Sequence, residues 1–498
     1  MSRMDQALKF YKEALQINRE KIDKASEGDV LNSLGGVYYN TGRFEEAINH
    51  FQQMLAIKRE LKDREGEGGA LLNIGAVYNT WGYQDKSIEH YGQALQIMRE
   101  VKNRRSEAFA LTGLGNVHSA LSQYDKAIEY SQQSLKIYRD LKDRLTEGLT
   151  LNNLGLVHNL IGRYEEAIKY FDQALNIARE VHDRRGEGNA FSGLGQANFN
   201  MSRYAKATEY TEQALKINRE IKNKVGEGNA LNHLGMYASS QGQYDQAVRY
   251  FELSVAMSRE MKDRNGEGGA LANLGIVYNY LGRQDKAIEF LERSLALDRE
   301  FKDKSGEAKT LNNLGLAYAS SGNHNKAAEH YEKALQIIRE VKNRGSEAAA
   351  LGNLGSVYFS LKQYEKAGEY LRQALLVSRE VKDKVVEGRT ISSLAAVNYA
   401  LGRYDEMVEQ SKQALAILRE VKDSTSEAKS LHSLAKAELE RGNLILAREY
   451  IEDSLKIVER LRSNIYNQES RASYFASVQE YYKLYIDCLL YTSPSPRD

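Results

Sequence analysis

The sequence predicts an all-α chain built as an alpha-alpha superhelix, a solenoid of antiparallel helix pairs stacked one upon the next. Three observations carry that prediction. The 498 residues match themselves when shifted by forty. Only two prolines occur, Pro494 and Pro496, so almost nothing interrupts a helix. No segment alternates apolar and polar residues with β-branched enrichment, so no strand is expected.

The forty-residue register never slips. Glu27 and its equivalents at every step to Glu427 fill one column, and Arg19 to Arg419 fill a second. Gly35 to Gly355 fill a third, which Ala395 and Ala435 complete. A helix over about residues 4–22 comes before any partner, so residues 1–26 are expected to form an unpaired half-repeat. Residues 27–463 then hold eleven two-helix repeats. Within 67–102, Leu71, Ile74 and Tyr78 recur at three- and four-residue steps, and Ser87, Tyr91, Ala94 and Leu95 do the same for a second helix. Gly82 supplies the left-handed residue that ends the first helix. Lys102-Asn103-Arg104-Arg105-Ser106 is a polar loop whose Asn and Ser can cap the next helix. Residues 464–487 carry a different apolar pattern (Ile465, Tyr474, Phe475, Val478, Tyr481, Tyr482 and Tyr485) and are expected to form a capping or linker helix.

Glycine inside a helix costs about 1 kcal/mol relative to alanine. Nine in one column therefore imply close helix crossings, with the Ala or Ser at 47, 87, 127 and each later step to 367 as the facing small surface. No single repeat can bury its own apolar face, and stacked neighbours share one core. The Glu column lies near helix starts and the Arg column near helix ends. Both placements favour the helix dipole, and pairing between repeats is expected.

The pattern Leu71…Ile74-Gly75…Tyr78…Ser87…Tyr91…Ala94 resembles the tetratricopeptide-repeat signature. It departs at two positions: Leu stands where an aromatic residue is usual, and Arg99 replaces the proline that closes the second helix. The forty-residue form is similar to the repeats of kinesin light chains and Pins-type polarity adaptors. The match covers residues of about 2 to 463, and it implies a helical-pair scaffold that binds protein segments. Residues 464–487 also resemble the linker that follows such repeats in bacterial proteins ending in a caspase-like CHAT domain. That resemblance implies the repeat arm of a protease, with none of the His/Cys dyad inside this chain. Residues 488–498 (CLLYTSPSPRD) resemble the read-through of a transposase-type sequencing adaptor, matching it codon for codon. They are expected to be a disordered tail, with the natural frame continuing past about residue 487; the alternative is a natural Pro/Ser-rich tail.

Composition excludes other classes. Lys+Arg 69 against Asp+Glu 68 gives a net charge of +1 with the signs interleaved, unlike a nucleic-acid arm or a basic membrane patch. The longest apolar runs fall far short of the ~20 residues needed to span a bilayer. The single cysteine, Cys488, excludes a disulfide framework and a cysteine zinc site. Gly66-Glu67-Gly68-Gly69 lacks the Lys-Ser/Thr ending of a phosphate loop and follows a helix. His118 and His158 share the column of Tyr78 and read as packed core, not as metal ligands. Every Ser and Asp recurs as part of the repeat, so no nucleophile–base pair emerges. The chain as given is therefore expected to be no enzyme, with no catalytic residue, metal or cofactor. The expected partner is a protein or peptide, not nucleic acid or membrane, in the cytoplasm.

The candidate site is a face of the first helices. With Leu71, Ile74 and Tyr78 inward, positions such as 69, 72, 73, 76 and 79 face a groove. Asn73, Asn153, Asn273, Asn313 and Asn353 form one column there, and Asn32, Asn152, Asn232 and Asn312 form the column before it. Asn116, Asn79, Asn159 and Asn279 lie a turn or two on. An amide offers both donor and acceptor, so it can hold the main chain of an extended peptide whatever its sequence. The resemblance implies the same use of the Asn column. The alternative is that these amides are solvated or bond to neighbouring helices. Leu156, Met236, Ile276 and Leu316 are expected to line the same groove. A scaffold holding an extended segment is thus the first functional expectation. The sensor or substrate-recognition arm of a CHAT-type protease is the second, and a transcription or kinase regulator is the third.

Overall fold

The computed structural model describes residues 3–463 and 478–492. The described residues form 24 helices and no strand. The chain divides into two compact units, Met1–His233 and Leu234–Asp498, with the division inside helix Lys224–Ser240. Unit one opens with helix Arg3–Glu20, which packs on Lys24–Asn40 and buries Leu15. Antiparallel pairs follow at forty-residue steps: Lys24–Asn40 with Phe44–Glu60, Arg64–Trp81 with Gln84–Glu100, and so on to Arg184–Asn200 with Tyr204–Glu220. Unit two repeats the arrangement from Tyr244–Met261 to the pair Ser424–Glu440 and Leu444–Ser463. It closes with helix Gln479–Thr492.

Local chemistry explains the boundaries. Each first helix starts behind an acidic or amide cap: Asp63 Oδ1 accepts from Gly66 N at 2.8 Å, and Asn103 Oδ1 accepts from Ser106 N at 3.0 Å. The turn from first to second helix uses glycine as expected, with Gly82 at φ +88°. The other turn uses lysine. Lys62, Lys102, Lys142 and Lys342 all adopt left-handed φ between 55° and 60°. The hydrogen bonds require this: Asp63 N donates back to Lys58 O at 2.8 Å and Lys62 N to Arg59 O at 3.0 Å, a helix end closed through a left-handed residue. For a side chain with a Cβ, that conformation costs about 1–2 kcal/mol.

The glycine column is more crowded than its expected small neighbours imply. Ala47, Ala127 and Ala167 are fully buried, and Ser87 Oγ donates to Gly75 O at 2.8 Å. The tightest neighbour is instead often a ring one turn further along the second helix. A Cβ on Gly35 would lie 2.5 Å from Phe51, one on Gly155 2.6 Å from Phe171, and one on Gly315 2.7 Å from Tyr331.

Helix Gln479–Thr492 runs across the boundary expected at residue 487. Leu484 and Cys488 are buried against Ala435, Ala447 and Ile451, and the Tyr482 hydroxyl donates to Glu459. Residues 464–477 and 493–498 lie outside the described residues, and with them the first half of the expected cap and most of the expected tail.

Candidate functional site

Within each unit the two sides of the helix pairs are unequal. First helices touch one another, as Arg144–Leu160 touches Arg184–Asn200 in unit one and Arg264–Tyr280 touches Lys304–Ser320 in unit two. Among the described residues successive second helices lie further apart and meet through long side chains, as Arg139 Nη2 does in donating to Gln173 Oε1 at 3.4 Å. The first-helix side is therefore the inner side of each unit, and it carries the predicted asparagines.

These asparagines do not act as separate amides. Asn73 Nδ2 donates to Asn32 Oδ1 at 2.8 Å, and Asn353 Nδ2 donates to Asn312 Oδ1 at 2.9 Å. Each bond joins the second residue of the Asn-Asn register on one helix to the first on the helix before. Two turns on, Asn200 Nδ2 donates to Asn159 Oδ1 at 3.0 Å. Asn153, Asn232, Asn273 and Asn313 are half-buried on the same side, and Asn32 and Asn116 are exposed. Asn152 is half-buried, and its Oδ1 is covered without a hydrogen-bond partner. His233 occupies the Asn153 column. Burial lowers its pKa to about 4, so the ring is neutral at pH 7, and its Nε2 lies 3.2 Å from Gln196 Nε2.

Two crevices open at equivalent places on this side. Between Lys304–Ser320 and Arg344–Ser360 a cavity of about 260 Å³ is walled by Lys309, Asn312, Asn313 and Asn343 over Ile338 and Val341. Four repeats earlier the same crevice shrinks to about 10 Å³, where Leu145 and Leu149 stand in place of Ser305 and Lys309. A larger hollow, about 580 Å³, lies between second helices Tyr124–Asp140 and Tyr164–Glu180 and contains none of the predicted residues. Its charges are mixed, with Lys136, Arg139 and Lys169 beside Asp140 and Glu166.

The apolar part of the face was only partly foreseen. Leu156, Met236 and Leu316 are exposed as expected, and Ile276 is half-buried. Leu145, Leu149 and Leu160 join Leu156 on one exposed stripe of helix Arg144–Leu160, and Phe109 holds the Leu149 position one repeat earlier. The groove-facing offsets 69 and 76 contain Leu149 and Leu156. A comparison along one helix would have found the rest.

The Glu and Arg columns form a bonded network. Arg59 Nε donates to Glu67 Oε1 at 2.8 Å, and Arg64 Nη1 to Glu67 Oε2 at 2.6 Å. The pattern recurs at Arg339–Glu347–Arg344. Burial would raise the Glu67 and Glu347 carboxyls, but the two guanidinium bonds outweigh it and hold both below the usual carboxylate value. His118 and His158 are buried; His118 stacks on Tyr130, the His158 ring lies tilted against Tyr170, and His118 Nδ1 lies 2.7 Å from Gln123 Oε1. Among the described residues no three His, Cys, Asp or Glu side chains are placed to hold a metal, and no helix is long and apolar enough to cross a membrane.

A family model described as tetratricopeptide repeat matches residues 1–60, 63–140, 146–220, 226–300, 303–382 and 387–460, and the chain belongs to that family. No curated protein matches the sequence. Among solved structures, the chain is similar to a signal-transduction ATPase with numerous domains and a tetratricopeptide-repeat sensor from Pyrococcus horikoshii. The identity is 17% and the TM-score 0.52, over 68% of this chain and 54% of that one. It is also similar to a Rap protein complexed with competence and sporulation factor, at 18% identity and a TM-score of 0.50, over 72% of this chain and 99% of that one. BtubC from P. vanneervenii matches at 22% identity and a TM-score of 0.38, over 45% of this chain and 90% of that one.

Proposed function

We propose that the chain is a protein-interaction scaffold that takes an extended peptide or partner segment against the inner, first-helix side. The observation that carries this reading is the amide-rich row on that side, broken by the 260 Å³ crevice at Asn312 and Asn313. An amide can both donate to and accept from a peptide main chain, and the crevice has room for a side chain. One of the similar solved structures, a Rap protein, holds a bound factor, which is in keeping with the reading. The test is the triple variant Asn153→Ala, Asn273→Ala, Asn313→Ala. A peptide selected by display on the wild-type chain is expected to bind it at least tenfold more weakly, with helicity and melting near wild type. Unchanged affinity sinks the assignment, and a large melting loss shows that the amides serve the scaffold instead.

A second reading rests on the resemblance of residues 464–487 to a CHAT-domain linker: this chain would then be the recognition arm of a caspase-like protease. Sequencing the source gene past codon 487 decides it, since a frame with the His/Cys dyad supports it and an early stop removes it.

A further inference from the structure

Helix Arg144–Leu160 differs from the other described first helices. Leu145, Leu149, Leu156 and Leu160 remain 50%, 44%, 38% and 62% exposed. Steps of four, seven and four residues keep all four on one face of the helix. At 1.5 Å per residue the stripe is about 22 Å long. The helices on either side continue it at one position only, Phe109. At the equivalent positions the preceding helix has Arg105, Phe109, Asn116 and Ala120, and the following one has Arg185, Asn189, Gln196 and Asn200. The apolar surface therefore extends through four positions along this helix and through one, Phe109 beside Leu149, across the repeats, so it runs mainly along a helix.

That direction selects the occupant. An extended peptide crossing first helices about 10 Å apart meets each helix once, roughly every three residues. It would use one leucine of the four. A helix laid along Arg144–Leu160 meets all four, because its own apolar residues recur at the same three- and four-residue steps. The inner side of the unit, where first helices already touch, suits a single slender helix better than a second copy of the solenoid. Charge sets the polarity. Arg105 and Arg185 flank the Leu145 end, Arg105 already paired with Asp143 at 2.8 Å and Arg185 without an ion pair among the described residues. Ala120 and Asn200 flank the Leu160 end without charge.

We infer that helix Arg144–Leu160 is the docking site for an amphipathic partner helix of about four turns, acidic at the end that meets Leu145. The inference rests on the reading that the inner side binds protein segments, and it names the conformation and chemistry of the segment bound in unit one.

The test uses the full chain and a displayed library of random sixteen-residue peptides, with sedimentation run in parallel. Enriched peptides are expected to carry apolar residues at three- and four-residue steps with Asp or Glu near one end, and to gain helical circular dichroism on binding. Leu149→Glu with Leu156→Glu, and separately Leu149→Gln with Leu156→Gln, should weaken them at least tenfold with melting unchanged. Both substitution pairs sit on exposed positions, so the Gln pair separates loss of contact from charge repulsion. Enriched peptides that contain proline, lack the periodicity, or bind both double variants undiminished overturn the inference. If those peptides are lost on the Asn triple variant, the groove reading survives alone. If neither set of substitutions weakens them, or if nothing is enriched, both readings fall. A wild-type dimer that the Gln pair dissociates also overturns the inference, because the occupant is then a second copy.

Discussion

The inner sides of the two units carry different surfaces on the same scaffold. Unit one carries its longest exposed apolar run on one helix, through Leu145, Leu149, Leu156 and Leu160, with Phe109 and Val225 at equivalent positions on two others. Unit two spreads its apolar exposure over four, with Met236, Tyr280, Leu316 and Val385 each on a different first helix. It also turns basic, through Lys309, Arg389, Lys429 and Lys436. Arg389 is bonded to Asp423 at 2.7 Å, and Lys436 lies over the Tyr399 ring at 4.6 Å. Beneath both surfaces the glycine crossings, left-handed lysines and Arg–Glu bonds are alike. In this fold, packing positions are held to one pattern by the neighbours they must fit, while inner-side positions are free to differ.

Four predictions break or sharpen that comparison. The largest effect concerns the shared crossings. Gly155→Ala and Gly315→Ala drive a methyl to 2.6 Å and 2.7 Å from the rings of Phe171 and Tyr331. Overpacking costs about 1–3 kcal/mol, and alanine's better helix propensity returns about 1 kcal/mol at most. Urea denaturation should show both variants less stable by about 1–2 kcal/mol. Gly352→Ala, with open space around it, should be stabilising by up to about 1 kcal/mol. A clear inequality between the first two variants would break the claim of a common scaffold.

Next comes the carboxylate network. Glu347→Gln should cost about 1 kcal/mol at pH 7, a modest figure because Arg339 and Arg344 are about half exposed. The folded Glu67 and Glu347 carboxyls have pKa values below the ordinary 4.5, so the unfolded chain binds more protons in that range. Their contribution is complete above about pH 5 and is lost as pH falls through the folded value. Chemical denaturation from pH 7 to pH 3 should show that decline, and it should be shallower in Glu347→Gln.

A third prediction separates the two surfaces themselves. Leu316→Gln, Met236→Gln and Leu149→Gln all change exposed positions, so each should alter stability by less than about 0.5 kcal/mol in thermal melts. A larger loss at any of them would show that the residue belongs to the core and not to a surface. The smallest effect concerns the connections. Lys142→Gly and Lys342→Gly relieve a left-handed side chain at φ 55° in each unit. The relief outweighs glycine's added freedom in the unfolded chain by about 0.5 kcal/mol, a gain that should be equal in the two units.

Much of this was legible in the sequence, because a repeat prints its constraints in columns. Gly82, Asn103 and the Glu and Arg columns announce turns, caps and pairing from residue type and place alone. The bonds Asn73–Asn32 and Asn353–Asn312 were harder to foresee. They join residues 41 apart, one off the period, and depend on how neighbouring first helices are offset. The leucine stripe was missed for a different reason. Columns compare one position across repeats, whereas Leu145, Leu149, Leu156 and Leu160 run down a single repeat. The lysines escaped notice because residue type argues against φ near +60°, and the helix-end hydrogen bonds override it.

The unequal contact of the two sides gives each unit a directional stiffness. First helices already in contact behave like the touching rims of a stack of wedges, and bending the stack tighter would drive their side chains together. The second helices are joined through long side chains, as Arg139 is to Gln173, so flattening strains fewer close contacts than closing does. A segment seated on the inner side would act as a shim, and the mechanical response of each unit would then report its occupancy.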